Sequence, residues 1–378
     1  MPLTFKQNEQ HLTLGVEMEL QVLDAERLTL IPRSSEIMHA IQSPKLAKEM
    51  FRSTLEIVTG ICNNVHEANA DLSASLIDVK AYAEKNNIAF AGTGTHPLAI
   101  YQDRITSAGK RYQDLMDRNQ WLIRRMAVYG LHVHIGMHDA DACMRYNHFF
   151  LRFVPHLIAL SASSPFWQKQ DTGLAAARPT MYEAHPTSGI PYLATDWNDF
   201  ERVYDAMVQT GSIESMKDIW WDIRPSPNYG TLELRMCDGP ATMLELNAIV
   251  AFIHLLAHWF NDHGAAYFAQ HKPVPERWIL RENKWRAIRY GTDAIIIDPD
   301  TMQTEKLNLV VLNWIEKLAP YIQQLQYEKQ MQTLRNILQY GNSSQRQKRI
   351  FAETGSLQHV VELNVQEWQT DQALWGSN

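Results

Sequence analysis

Glu17 and Glu19 stand two residues apart in LTLGVEMELQV, and three further segments carry reactive side chains at strand spacing. Glu56 lies between Leu55 and Ile57 in LEIVT. His132 and His134 alternate with Leu131, Val133 and Ile135 in LHVHIGM, and Glu233 and Arg235 alternate with Leu232, Leu234 and Met236 in GTLELRM. Successive side chains on a strand point to opposite faces, so each segment has one apolar face and one chemically loaded face. If the four strands share a sheet, one of its faces holds the carboxylates of Glu17, Glu19, Glu56 and Glu233, two imidazoles and a guanidinium. That composition fits a metal-dependent active site.

A carboxylate pair at this spacing is about 7 Å apart along a strand face. Two such charges repel, and partial burial raises the pKa of one of them unless a cation lies between. Divalent cations that prefer oxygen, Mg2+ above all with Mn2+ as a substitute, remove that cost. The plain alternative for Glu17 and Glu19 is a solvated strand edge, and the matching parity of Glu56 and Glu233 weakens it. For His132 and His134 the choices are a Zn2+ site in a hydrolase or two structural histidines beside a carboxylate. Glu233 and Arg235 fit a cross-strand salt bridge, or a site where a metal and a phosphate lie side by side and the guanidinium fork grips phosphoryl oxygens. Asp222 and Arg224 in DIRPSP add two charges on one strand face beside a rigid turn.

The elements that must position these groups follow from periodicity. Apolar residues three and four apart predict helices over residues 64–86 and 108–128, and IAFAGTGTHP reads as a short buried strand ending in a turn. Residues 32–50 read as a loop and a helix, with a capping start at 34–36. DADACMRYNHFFLRFVPHLIALSAS reads as a long helix kinked or broken at Pro155. Residues 163–198, rich in Pro, Ser, Thr, Gly and aromatics, read as a long irregular loop, of the kind that serves as a lid or a substrate wall. ATMLELNAIVAFIHLLAHWF is a helix packed on the sheet, and residues from about 305 to 340 are helical and amphipathic. Because the strands alternate, a mostly antiparallel sheet is expected, with helices on one face and ligand on the other. The fold class is α+β.

The composition bounds the partners. With 45% hydrophobic and 20% charged residues, the 378-residue chain has an ordinary globular make-up. A net charge of −7, a pI near 6.1 and no Lys/Arg-rich run argue against nucleic acid. The apolar stretch 248–260 is interrupted by His254 and His258 and is shorter than the roughly 20 residues of a membrane span, so no membrane partner is expected. The N-terminus has neither the basic nor the apolar region of a secretory signal. Cys62, Cys143 and Cys237 form no CxxC pair, and a cytoplasmic location is expected. No phosphate-binding loop, strand-linked GxGxxG or GxSxG elbow occurs, so nothing supports a P-loop, a dinucleotide fold or a covalent nucleophile.

Several motifs occur in one order: GVEMEL, LEIVT, GTHP, HVHIG, SASSPFW with the following DTG, DIRPSPNYGTLELR and NKWRAIRYG. Together they resemble the carboxylate–amine ligases of the glutamate–cysteine ligase type 2 family. The resemblance implies a single catalytic domain over residues 1–378, with the motifs in about 12–300 and a helical part in about 301–378. It implies a glutamine-synthetase-like fold whose curved sheet binds ATP and Mg2+. The implied reaction phosphorylates a carboxylate, often that of glutamate, before an amine displaces phosphate. Glu17, Glu19, Glu56, His134 and Glu233 match the metal ligands. Arg235 matches the residue at the transferred phosphate, with Glu56 and His132 also catalytic. Arg224 and Arg289 join Arg235 as cofactor contacts, and His132, Arg224 and Arg178 match substrate contacts. The first motif departs from the family's commonest form, GVEEEF, at Met18 and Leu20, both on the apolar face, so the ligand set is untouched while substrate choice stays open. The expected substrates are small molecules, the expected assembly a homodimer, and glutamate–cysteine ligation a weak activity. Two rivals remain: a zinc hydrolase using His132 and His134, and a catalytically idle homologue that binds nucleotide or metabolite.

Overall fold

The computed structural model describes residues 3–375. Strand β1 (Leu14–Asp24) runs through the centre of the sheet and buries Val16, Met18, Leu20 and Val22 on one face. Helix α1 (Ser34–Ile41) and the short β2 (Leu46–Lys48) lead by a tight turn into β3 (Thr54–Val58). Helix α2 (Val65–Lys85) follows. The Asn64 side chain caps it by accepting from the Glu67 backbone N–H, and it buries Val65, Ala68, Leu72, Leu76, Val79 and Ala83, spaced three and four apart. Strand β4 is Ile88–Ala91.

The helix expected over 108–128 is two, α3 (Lys110–Asn119) and α4 (Trp121–Arg124). Gln120 divides them at φ 48°, a left-handed backbone that an α-helix does not contain. After β5 (Gly130–Gly136) come α5 (Ala140–Leu151) and α6 (Val154–Ser161). Pro155 lies in the first turn of α6, where its missing N–H costs nothing, so it starts a second helix rather than kinking one.

The expected irregular loop at 163–198 is instead a packed wall. It contains the two-residue hairpin β6 (Phe166–Trp167) and β7 (Gln170–Asp171), helix α7 (Arg178–Glu183) and β8 (Ser188–Gly189). Residues Ala175 to Pro179 are buried, and the backbone N–H groups of Ala175 and Ala176 both donate to the Ile288 carbonyl. Three consecutive alanines let this backbone lie close against its neighbour, a packing that composition alone does not reveal.

Helix α8 (Trp197–Gln209) precedes β9 (Trp220–Trp221), which pairs in parallel with β8. Strands β10 (Ile223–Ser226) and β11 (Thr231–Asp238) form an antiparallel hairpin. The main sheet has seven strands in the order β10-β11-β5-β1-β3-β2, with β4 also beside β1, and every pairing is antiparallel. Its apolar side chains, among them Met18, Leu20, Ile57, Val133, Leu232 and Leu234, are fully buried.

The helix that follows β11, α9 (Met243–Gln270), is long and apolar enough to cross a membrane. However, 89% of its most apolar window is buried inside the protein, where it packs with β5, α2 and α6. Helix α10 (Arg277–Tyr290) lies on α6 and leads to the hairpin β12 (Ile295–Ile297) and β13 (Thr304–Lys306). The amphipathic stretch after it is three helices, α11 (Leu307–Lys317), α12 (Ala319–Leu325) and α13 (Glu328–Tyr340). Helices α14 (Ser343–Thr354) and α15 (Leu357–Thr370) complete the described chain, with α15 against β4. There the bare Cα of Gly92 accommodates the Trp368 ring and the Pro240 carbonyl, so a Cβ would collide with both.

Candidate active site

Strand register brings the polar residues into one field. Glu17 pairs with His132 across β1 and β5, Glu19 with Glu56 across β1 and β3, Glu233 with His134 across β11 and β5, and Arg224 with Glu233 across β10 and β11. One irregularity matters. Two residues of β11, Arg235 and Met236, oppose the single residue His132 of β5. A bulge of this kind bends the strand and re-aims a side chain, and it leaves Arg235 over the polar field beside His132.

Glu17 is the hub. Its Oε2 lies 3.0 Å from His132 Nδ1 and its Oε1 3.2 Å from His134 Nε2, while His134 Nδ1 is 2.8 Å from Thr231 Oγ1. Both oxygens of Glu233 are engaged. Oε2 accepts from Arg224 Nε at 2.9 Å and Ser226 Oγ at 3.0 Å, and Oε1 accepts from Arg235 and lies 3.8 Å from His134 Nε2. The Gly130 N–H donates to Glu19. Three triads each bring one ligand atom per residue within 4.8 Å: Glu17–His134–Glu233, Glu17–Glu56–His132 and Glu19–Glu49–Glu56.

The acidic row lies at the junction of two cavities. One, of about 320 Å³, is ringed by cations and aromatics, including Lys48, Arg111, Arg178, Arg235, Tyr182 and Trp220. The other, of about 760 Å³, is walled by Val58, Ile61 and Tyr229. Glu17, Glu56, His134 and Tyr229 line both.

Electrostatics divides the row in two. Burial works against the charge on Glu17, but hydrogen bonds from His132 and His134 outweigh it and hold the carboxylate well below its usual range. Burial likewise opposes Glu233, and the guanidiniums of Arg224 and Arg235 overcome it, so this acid is also held ionised. The other half has no such cover. Burial, with Glu49 alongside, pushes Glu19 up to about 8 against the pull of Arg178. Glu49 is raised by burial, and Glu56 is driven far upward by burial and the three surrounding carboxylates. Burial and the nearby Arg235 bring His132 down to about 4, so it is a neutral imidazole at pH 7. Burial opposes protonation of His134 too, yet Glu233 and Glu17 raise it.

An oxygen-rich donor set, with one imidazole in each of two triads and none in the third, fits Mg2+ or Mn2+. The raised Glu19, Glu49 and Glu56 are a second sign, because a cation is what makes three adjoining buried carboxylates affordable. Among the described residues no triad unites His132 with His134, as a zinc site built on the HxH pair requires.

The sequence-predicted residues Glu17, Glu19, Glu56, His132, His134, Glu233, Arg178, Arg224 and Arg235 all converge here. Two expectations need correction. Arg289 is not among the cleft-lining residues: it lies on α10 with its guanidinium 5.0 Å from the Tyr290 ring centroid. Asp222 does not share the cleft face of Arg224, because it precedes β10 and is fully buried against Lys284. Glu49 escaped the sequence reading. It lies just past the three-residue β2, too short a strand to show alternation, and the hairpin pairing Ala47 with Glu56 carries it to the site. Pairing β2 with β3 was the signal that finds it.

A curved antiparallel sheet with helices on one face and this polar field on the other defines a glutamine-synthetase-like ligase scaffold. Comparison with known proteins narrows the class. The family model of glutamate–cysteine ligase family 2 matches residues 13–363. A relative from Bdellovibrio bacteriovorus, provisionally named glutamate–cysteine ligase 2, is 42% identical over 353 residues, 93% of each chain. One of the same provisional name from Thermobifida fusca is 37% identical over 376 residues, 97% of this chain and 93% of its own. Among solved structures, a glutamate–cysteine ligase from Francisella tularensis in complex with AMP superposes with a TM-score of 0.65 at 12% identity, covering 97% of this chain and 90% of that one. A bifunctional glutathione synthetase from Pasteurella multocida gives 0.68 at 14% identity over 95% of this chain, which spans about half (52%) of that protein's length. At these identities the two structures establish the fold alone. The chain belongs to glutamate–cysteine ligase family 2 and is an ATP-dependent ligase that forms carbon–nitrogen bonds.

Proposed function

We propose that this chain joins a glutamate-type carboxylate to an amine through an acyl phosphate, giving a γ-glutamyl-type amide, with glutamate–cysteine ligation as a weak activity. The observation that carries the reading is the row of three overlapping acidic triads between a cationic cavity and an apolar one. The cationic lobe of about 320 Å³ suits the anionic acid, and the lobe walled by Val58, Ile61 and Tyr229 suits a nucleoside. Residues 1–378 act as one catalytic unit on this reading, since α14 packs on α15 and α15 closes against β4 of the main sheet.

Glu17, Glu19, Glu49, Glu56, His134 and Glu233 would hold Mg2+, which supplies charge neutralisation to the polyphosphate. A carboxylate oxygen of the acid attacks the γ-phosphorus, the bond to the β-phosphate oxygen breaks and ADP leaves. The amine nitrogen then attacks the acyl carbon, the carbon–oxygen bond to phosphate breaks, and the amine proton passes to solvent. Arg235 contributes a guanidinium fork for the oxygens of the phosphoryl group in flight. Arg235 donates to Glu233 Oε1, so the guanidinium stands beside the carboxylate that would hold the cation. His132 donates from Nδ1 to Glu17 and stays neutral, which makes it an orienting group rather than an acid.

The test is ADP and phosphate release from ATP, Mg2+, glutamate and a panel of amines including cysteine. ADP release that requires both acid and amine supports the reading. Nucleotide binding without ADP release under every pairing favours the idle homologue, and turnover without ATP favours a hydrolase.

A further inference from the structure

Behind the cationic cavity lies a buried charged cluster that the reaction above does not use. Lys284, in the NKWRAIRYG segment of α10, places its ammonium 2.7 and 3.0 Å from the two carboxylate oxygens of Asp222, 62 residues away in sequence. Neither side chain reaches solvent to any extent. The Tyr182 hydroxyl donates to Asp222 Oδ1 at 2.9 Å. One helical turn before Tyr182, on the same face of α7, stands Arg178. Its guanidinium carbon is 5.3 Å from the Tyr182 ring centroid, with the Lys284 ammonium 5.8 Å from the same centroid.

Arg178 has little else to hold it. Nη1 donates to the Arg235 carbonyl at 3.2 Å, Nη2 lies 3.4 Å from His132 Nε2, and Nε is buried with no hydrogen-bond partner. The room for Nη2 exists because residue 130 is glycine, where an added Cβ would lie 2.1 Å from that nitrogen. The Asp222 backbone is tied to the same bulge, since its carbonyl accepts from the Arg235 N–H at 2.8 Å. For stability alone, a well-packed apolar pair serves as well as a buried ion pair. What an apolar pair lacks is an acceptor that fixes the Tyr182 hydroxyl, and with it the ring against which the guanidinium rests.

We infer that Lys284 and Asp222 are positioning residues that act through Tyr182 to aim Arg178 into the cleft, where Arg178 binds an anionic group of the carboxylate substrate. The substrate half of this inference rests on the reaction proposed above; the aiming half does not. Arg178 is the group that touches substrate, and the other three decide where its fork points.

Three variants test this: Tyr182→Phe, which keeps the ring and drops the hydroxyl; the double variant Lys284→Met with Asp222→Leu, which removes both charges at similar volume; and Lys284→Arg, which keeps the charge. In the first two, KM for glutamate rises about tenfold or more, the scale of one misaligned hydrogen bond to a charged group. KM for ATP stays within about twofold, because a loss confined to one substrate's anchor leaves the other's binding intact. Lys284→Arg recovers most of the glutamate affinity. An unchanged KM for glutamate in a folded variant, or an equal rise for ATP, overturns the inference. If the wild-type chain releases no ADP with any acid and amine, the proposed reaction fails, and the aiming role is then read from a crystal structure of the double variant. Arg178 displaced from the Arg235 carbonyl and from His132 sustains it, and Arg178 in place overturns it.

Discussion

Two groups of buried glutamates in this molecule differ in what stands between them. At the C-terminal end, Arg346 is buried between Glu245 and Glu367. Its Nη1 and Nη2 reach the two oxygens of Glu245 at 2.9 and 3.0 Å, and its Nε and Nη2 reach those of Glu367 at 2.6 and 3.1 Å. One guanidinium fork thus bonds to all four carboxylate oxygens and ties α14 to α15 and α9, although burial still raises Glu367 above the usual carboxylate range. In the cleft, Glu19, Glu49 and Glu56 crowd together with no guanidinium between them, and all three hold protons above the usual carboxylate range. Glutamate in a buried setting therefore says nothing by itself. The partner decides whether it braces the fold or waits for a cation.

The largest expected effect breaks the satisfied cluster. Arg346→Ala leaves two buried carboxylates without a partner and should cost about 3–5 kcal/mol of stability, which urea unfolding will measure. A loss under about 1 kcal/mol means that water replaces the guanidinium. Next, Arg235→Ala should lower kcat about 10²-fold or more while KM for ATP changes less, because the guanidinium acts mainly on charge developing in the transition state. Arg235→Lys keeps the charge but loses the fork and should retain part of the activity. If both variants melt early yet the folded fraction turns over normally, Arg235 is only the salt-bridge partner of Glu233.

A smaller effect sharpens the contrast through pH. Glu19 binds its proton more tightly when folded, at about 8 against an ordinary 4.5. Its folded pKa is raised, so its contribution to stability is complete below about 4.5 and is lost as pH rises toward 8. A cation must displace that proton, so Mg2+ affinity should strengthen over the same range with protons released on binding. The rise in melting temperature caused by Mg2+ should therefore grow from pH 5 to pH 8. A shift that is flat with pH places the cation elsewhere. The smallest effect is on stability at Glu56. Glu56→Gln mimics the neutral acid already favoured there and should leave the melting temperature unchanged or raise it, while ADP release is lost. A sharply lower melting temperature means that Glu56 is ionised and braced like Glu245.

Much of the site was legible because a strand's period of two is a local property. Each of β1, β3, β5 and β11 shows in a handful of residues which side chains leave the core, and with them Glu17, Glu19, Glu56, His132, His134, Glu233 and Arg235. The α+β class followed from the same alternation, which a parallel sheet buried on both faces does not show. The apolar spacing of α2 and the interruption at Pro155 were legible for the same local reason, though that Pro155 begins a second helix was not. What tertiary structure alone decided depends on partners far away in the chain. Glu49 becomes a site residue only when β2 pairs with β3, and Asp222 leaves the cleft only because Lys284 meets it from 62 residues away. In NKWRAIRYG the cations Lys284 and Arg289 look alike, yet five residues of helix turn them about 140° apart. Packing of α10 on α6 takes Lys284 inward and leaves Arg289 against Tyr290. The register shift in β11 that sets Arg235 beside His132 depends on β5, and the wall at 163–198 depends on alanines finding the end of α10. The sequence by itself determined which faces were polar, because alternation is written in neighbouring residues; tertiary structure decided which charges are satisfied, because a charge's partner is set by packing.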